Sequence, residues 1–396
     1  PLFEAGDIKA QDMKEVAAAA PNLGHAIVSM YRAYREARED LGALAEKVAD
    51  RDKLQVMGAQ AFPQEEVSEF FQAEQNHFPD LEIAAESLWI DGDLDSGNLY
   101  GTLAAHLLKR HGVRVRLMPT DVMGGAICRY DRHSKRVLIS EMLDPAGRTF
   151  QLASQAALLG QAALLDAAVT RGSFSHEESR RLARVGLANY FASALMMPYG
   201  RFLTAAKEVR YDIEILSRRF VASYEQVCHR LTALQRPGAK GVPFFFARVD
   251  PAGNMSKRFS AAPGFHFARF GGACPRWHVH DAFRRPGEIQ TQLARMPDGT
   301  TFFSIVRTVA KPGGGWKQPA RQFAVAIGCD LAHAGQLVYA DGLDLSNIDA
   351  ATPIGVNCRI CPRLDCTQRA FPPLSHRLAV DEHIRGVSSY VSVGAV

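Results

Sequence analysis

No stretch of the 396 residues approaches the ~18 to 20 consecutive apolar residues needed to cross a bilayer. The start of the chain lacks the basic region and apolar core of a signal peptide. Charge of one sign is also scarce. Lys plus Arg number 46 and Asp plus Glu 42, a net +4, which excludes a polycationic nucleic-acid coat but not a local basic site. G-x-S-x-G, G-x-x-x-x-G-K-[ST], G-x-G-x-x-G and His-Glu-x-x-His are all missing. The usual sequence marks of a serine hydrolase, a P-loop, a dinucleotide fold and a zinc peptidase are therefore missing too. There are no repeats or low-complexity runs. What remains is an ordinary globular composition, 47% hydrophobic and 22% charged, long enough for two or three domains. The first residue is Pro1, consistent with a fragment that begins after its natural N-terminus.

Seven cysteines, an odd number, do not suit a secreted disulfide framework. They place the chain in a reducing cytoplasm. Three of them, Cys358, Cys361 and Cys366, form C-x2-C-x4-C. Thiolates this close can grip one metal centre, iron–sulfur or zinc. Arg359, Arg363 and Arg369 would offset their negative charge. A fourth ligand is needed, and Cys274 in Gly271-Gly-Ala-Cys-Pro275 is the best candidate because it lies in a Gly/Pro loop. His278, His280 and His376 are substitutes, while Cys128, Cys228 and Cys329 read as packing residues.

The chain reads as α+β. Residues 8–50 are expected to be helical, with Ile27, Tyr34, Leu41 and Val48 at heptad spacing, a seam on which two copies can pair. This gives a connector and dimerisation region at 1–60. Helices follow at 62–78 and 79–111, then a strand at 113–117 and a hairpin from 126–129 and 136–140. Further helices are expected at 148–169, 176–197, 200–208, 211–218 and 223–234. Ser175 and Glu178 have the spacing of a capping box for the helix at 176–197. Arg236-Pro237-Gly238 closes this 61–236 module. Beyond it, strand-like runs at 242–249, 265–270, 288–295, 300–309 and 321–327, with a hairpin signal at Asp298-Gly299, suggest an antiparallel sheet. The 237–396 region ends in the Cys-rich segment.

The helix Phe150-Gln-Leu-Ala-Ser154-Gln155-Ala-Ala-Leu158-Leu159-Gly-Gln161 follows a hairpin. It resembles the helix that carries His-Glu-x-x-His in zinc peptidases of the ImmA/IrrE type. The chemical positions hold Ser154, Gln155 and Leu158, which offer neither imidazole nor carboxylate to a zinc ion. The reading is a peptidase fold without peptidase chemistry, and no catalytic residue is assigned.

Longer segments resemble a family. They are Met196-Met-Pro-Tyr199, Arg210-Tyr-Asp-Ile-Glu214, Leu216 to Phe220, Glu225-Gln-Val-Cys-His-Arg-Leu231, Gly253-Asn-Met-Ser-Lys-Arg258, Gly271 to Trp277, Met296-Pro-Asp-Gly299 and Cys358 to Pro373. Together they are similar to the short-chain fatty acyl transcriptional regulators, above all those of propionate catabolism through the methylcitrate pathway and of acetate and glyoxylate metabolism. The resemblance implies a homodimeric, cytoplasmic regulator that is not an enzyme and that contacts DNA through an N-terminal helix-turn-helix preceding this chain. It also implies a degenerate ImmA/IrrE-like module, a C-terminal sensor module, an acyl-CoA or CoA effector and a 4Fe-4S cluster. Cys274, Cys358, Cys361 and Cys366 are the matching ligand candidates.

A CoA site needs cations and helix N-termini for phosphate, an aromatic surface and an apolar tunnel. Arg148 is placed just ahead of the degenerate helix, and Tyr199 follows a helix-ending Pro. Arg201, Lys207 and Arg210 form a basic stretch. Lys257 and Arg258, with Phe265 and Phe267, form a second basic-aromatic group. The alternative function is an iron–sulfur enzyme of hydratase or redox type, in which three thiolates leave one iron open to substrate.

Overall fold

The computed structural model describes residues 30, 63–262, 265, 267, 273–311, 313, 320–373, 376–380, 383 and 391–395. The heptad region expected at 8–50 lies outside the described residues except for Met30. The chain divides into two compact units. The larger comprises Ala61–Phe267 and Gly272–Gly355, the smaller Pro1–Gln60, Ala268–Gly271 and Val356–Val396. The Arg236-Pro237-Gly238 break lies inside the larger unit.

The larger unit opens with α1 (Pro63–Ala73), α2 (Pro79–Asp91) and α3 (Leu99–His111). Pro79 and the acidic pair Asp80 and Glu82 start α2, where a proline loses no hydrogen bond and carboxylates meet the positive helix end. The mostly helical stretch expected over 79–111 holds two helices, because Gly92 ends α2 and Asn98 caps α3 by accepting from Gly101 N. Lys109, Arg110 and His111 close α3 before Gly112, which has φ +66°, a conformation natural to glycine. Next come β1 (Arg114–Met118), a short α4 (Thr120–Met123), β2 (Cys128–Asp131) and β3 (Arg136–Ser140). They form a sheet of order β1-β3-β2, with β1 parallel and β2 antiparallel to β3.

Helices α5 (Pro145–Gly160), α6 (Ala162–Val169) and α7 (Glu177–Met196) build the first core. The helix expected over 148–169 is bent by 85° between α5 and α6, and it starts early enough that Arg148 sits in the first turn of α5 rather than ahead of it. Leu152, Ala153, Leu187, Ala188 and Phe191 are fully buried there with Leu103 and Leu107. The Ser175–Glu178 capping box does not form. The α7 N-cap is His176, without a side-chain cap bond. Ser175 instead gives its backbone N–H and its hydroxyl to Glu66 on α1, so the N–H that Glu178 would accept in a capping box is already taken. A capping box does form farther on, between Ser223 and Gln226.

Then follow α8 (Tyr199–Glu208), α9 (Ile213–Arg219), α10 (Tyr224–Thr232), β4 (Phe245–Val249), β5 (Met255–Ser260), a 3-10 turn at His278–Arg284, β6 (Gln290–Arg295), β7 (Thr301–Lys311), β8 (Arg321–Asp330), a short α11 (Leu331–Ala334) and β9 (Thr352–Pro353). The sheet order is β5-β4-β8-β7-β6-β9, antiparallel except for the β6–β9 pair. β6 and β7 turn through Asp298-Gly299, as the dipeptide signals; Gly299 has φ +87°. β5 was not expected from the alternation, and Phe265 and Phe267 belong to no strand. The second core joins α8–α10 to one sheet face through Phe202, Leu216, Val227, Leu231, Phe246, Ile305 and Ile327. Burying each such side chain contributes about 1.5 to 3 kcal/mol. In the smaller unit β10 (His376–Ala379) pairs antiparallel with β11 (Val391–Ala395).

The expected α+β class, helical first and sheet-rich second, is the class that folds. Among the described residues no single helix is long and apolar enough to span a membrane.

Candidate functional site

A cleft opens within the larger unit. Its volume is about 190 Å³. Trp89, the segment 96–100, Pro145, Thr149, Met196, Pro198, Arg201 and the segment 219–221 line it. The N-termini of three helices converge here: Asn98 to Tyr100 begin α3, Pro145 begins α5, and Pro198 and Arg201 flank the start of α8. Asp144 caps α5 with its carboxylate, so that end already holds a negative charge. Pro198, the N-cap of α8, supplies no capping side chain. The first amides of α8 are therefore available to an anion. Arg201 and Arg219 bring two guanidiniums to the same wall. Arg201 lies over the Trp89 ring at 5.8 Å, and Arg219 reaches Glu208 at 3.3 Å while staying exposed. Tyr100 and Phe220 supply further ring surface.

The corner carrying Pro198 is braced from below. Trp89 Nε1 donates to Leu195 O at 2.9 Å, and Arg230 Nε donates to Met197 O at 3.0 Å. Arg230 is fully buried and forks onto Glu82 at 2.5 and 2.8 Å, and Tyr190 also donates to Glu82, at 2.5 Å. These bonds satisfy carbonyls that the end of α7 would otherwise leave orphaned.

The expected CoA candidates scatter. Arg148 is beside the cleft: Thr149 lines it, and the Arg148 charge acts on the phenol of Tyr100. Its Nη2 donates to Glu141 O at 2.9 Å, and its buried Nε has no hydrogen-bond partner among the described residues. Tyr199 is 1% exposed. Its hydroxyl donates to Ala239 O and accepts from Arg236 N–H, and its ring lies under the Arg236 guanidinium at 4.2 Å. Burial pushes that phenol up. Arg210 forks onto Asp341 at 2.7 and 2.9 Å and donates to Leu337 O, which ties α8 to the segment after β8. Lys257 and Arg258 are neighbours on β5 and do not act as one group. Lys257 stands opposite Arg248 and reaches Glu225, whereas Arg258 pairs with Glu65 on α1. Consecutive strand residues point to opposite faces.

The cleft residues that the sequence did not single out are Trp89, Asn98, Tyr100 and Arg219. The one local signal was Ser96-Gly97-Asn98, a cap sequence ahead of α3.

On the degenerate helix, Ser154 Oγ donates to Asn189 Oδ1 on α7 at 3.0 Å. A neutral hydroxyl–amide pair thus links the two helices at a position where the peptidase helix would carry a metal ligand.

Soft thiolates suit iron–sulfur or zinc. Ala370 N–H points at Cys358 Sγ, 3.4 Å away. Arg369, 8% exposed, pins the turn by donating to the carbonyls of Cys358, Cys361 and Arg363. Burial raises the Cys361 thiol, which works against thiolate. Among the described residues no three His, Cys, Asp or Glu side chains are gathered to hold a metal ion. Cys358, Cys361 and Cys366 belong to the smaller unit, and Cys274, which is buried, to the larger.

Comparison with known proteins adds the following. Residues 108–232 match the IrrE N-terminal-like domain, and residues 233–390 match the C-terminal domain of the short-chain fatty acyl coenzyme A regulators. The HTH-type transcriptional regulator PrpR of Mycobacterium tuberculosis is 42% identical over 97% of this chain and 78% of its own length. RamB of the same organism is 44% identical over 97% and 81%. The propionyl-CoA carboxylase regulator of Cereibacter sphaeroides is 43% identical over 96% and 79%. A solved Mycobacterium tuberculosis transcriptional regulator superposes with a TM-score of 0.80 at 45% identity, covering 84% of this chain and all of that one.

Proposed function

The chain belongs to the short-chain fatty acyl coenzyme A regulators, and from that premise we propose that it is the effector-binding part of a transcriptional regulator whose cleft takes a short-chain acyl-CoA. Relatives named as regulators, two of them by PrpR or propionyl-CoA carboxylase, make this a regulatory protein of propionate-related metabolism and not an enzyme. The single observation that carries the acyl-CoA reading is the cleft itself. Arg201, Arg219 and the uncapped start of α8 suit phosphate, and Trp89 and Tyr100 suit an adenine or a pantetheine arm. The unpartnered Nε of Arg148 beside Tyr100 supports it.

Titration of propionyl-CoA, acetyl-CoA and free CoA by calorimetry tests the reading. Heat is expected for a thioester, with affinity lost in Arg201→Ala/Arg219→Ala. No heat with any of the three, or equal binding by the double variant, refutes it. Pairing of two copies, DNA contact through a helix-turn-helix domain and a cytoplasmic location belong to the same proposal. A 4Fe-4S cluster on Cys274, Cys358, Cys361 and Cys366 is a separate part of it, supported by the spacing and softness of the donors. Iron and sulfide analysis of anaerobically purified protein decides that part.

A further inference from the structure

A second concentration of positive charge lies on the sheet face covered by α9 and α10. The strand register sets Lys257 opposite Arg248, Arg248 opposite Val325, Val325 opposite Arg307, and Lys311 opposite Arg321. Opposed residues share a face, and so do residues two apart, so five cations stand on one side of four adjacent strands. Arg307 is matched by Glu214 of α9 at 2.8 Å. The others have less. Arg248 at 2.8 Å, Lys311 at 2.8 Å and Lys257 at 3.9 Å all converge on Glu225, in the first turn of α10.

Three cations on one carboxylate leave two positive charges uncompensated at this point. Cys228 and His229, also on α10, do not alter the balance, because burial pushes the thiol up and keeps it neutral, and burial with the Lys257 charge brings the imidazole down to about 3. Arg248 is fixed by its position over the Phe323 ring at 4.7 Å and by Nε donating to Ser256 Oγ at 2.9 Å. Lys257 and Lys311 keep 50% and 41% of their side chains exposed, while Glu225 and Arg248 are largely buried behind them.

The geometry points to a second anion site at Lys257, Lys311 and Arg248, distinct from the cleft, that takes a dianionic phosphate monoester. A dianion matches the two uncompensated charges, whereas a carboxylate matches one. The arginine fork and two point-charge ammoniums suit phosphate oxygens. Convergence on one spot suits one compact group better than an extended polyanion.

The site is tested on the full chain by calorimetry and phosphorus NMR, with inorganic phosphate, adenosine 3′,5′-bisphosphate and acetate as probes. Both phosphates are expected to bind and acetate not to compete. Phosphate binding should persist in an Arg201→Ala/Arg219→Ala background that lacks the cleft guanidiniums, and Lys257→Gln/Lys311→Gln added to that background should weaken it on the order of tenfold or more. Glu225→Gln should strengthen it, because one more positive charge is released; a misfolded variant cannot mimic that gain. The ranking of the two phosphates identifies free phosphate or a nucleotide as the source. No phosphate binding in the Arg201→Ala/Arg219→Ala background, unchanged binding when the lysine substitutions are added to it, or weaker binding in Glu225→Gln would each overturn the site. None of these outcomes depends on whether a thioester occupies the cleft.

Discussion

Replacing Glu82 by Gln removes the charge from one half of an ion pair that has no access to water. Arg230 is 0% exposed and Glu82 1%, and the fork between them, 2.5 and 2.8 Å, joins α10 to α2. Gln keeps the shape and one acceptor but leaves the guanidinium uncompensated in the core. Breaking a buried pair in this way costs about 3 to 5 kcal/mol. Arg230→Met has a further consequence, because Met197 O loses its donor and an unsatisfied buried carbonyl costs about 1 to 3 kcal/mol. The double variant Glu82→Leu/Arg230→Met no longer buries a lone charge. It is expected to lose much less than the sum of the singles, although Tyr190 and Met197 O keep it below wild type. Urea and thermal unfolding of the four proteins, read as a double-mutant cycle, give the coupling. Singles that each cost under about 1 kcal/mol and simply add would refute the claim that the pair is desolvated and mutually dependent.

Acid should weaken the fold through two carboxylates. Burial alone would raise Glu82 and Glu225, but Arg230 holds the first below its ordinary value near 4.5, and Lys257, Lys311 and Arg248 hold the second at about 2. Folded values below unfolded ones mean that stability is fully present above about pH 4.5 and lost as pH falls toward 2. Unfolding midpoints measured from pH 7 to 2.5 should fall steeply below 4.5, and Glu225→Gln should flatten part of that slope. Gly328→Ala should destabilise by about 1 to 3 kcal/mol, because its Cβ would lie 2.4 Å from Phe245 Cζ and 2.6 Å from the Phe303 carbonyl; an unchanged melting temperature contradicts this. Arg201→Ala and Arg219→Ala should each weaken thioester binding by about tenfold or more, the worth of one charge-assisted hydrogen bond, with no change in melting temperature, since both side chains are exposed.

The sequence by itself determined whatever depends on residues a few positions apart. The helix faces around Leu152 and Leu187, the turn at Asp298-Gly299, the cysteine spacing and the loss of zinc-binding side chains at Ser154, Gln155 and Leu158 were all legible, because periodicity, turn chemistry and ligand type act locally. Tertiary structure decided the rest. The cleft draws on Trp89, Asn98, Thr149, Met196 and Arg219, far apart in the chain and brought together by packing alone. Ser175 looked like a cap until Glu66 took its donors, and Tyr199 looked free to meet a ligand until Ala239 and Arg236 used its hydroxyl. Lys257 and Arg258 read as one basic group, but the pleat of β5 sends them to different carboxylates. A side chain's chemistry is written at its own position, whereas the partner that consumes or frees it is set by long-range burial, which no local pattern records.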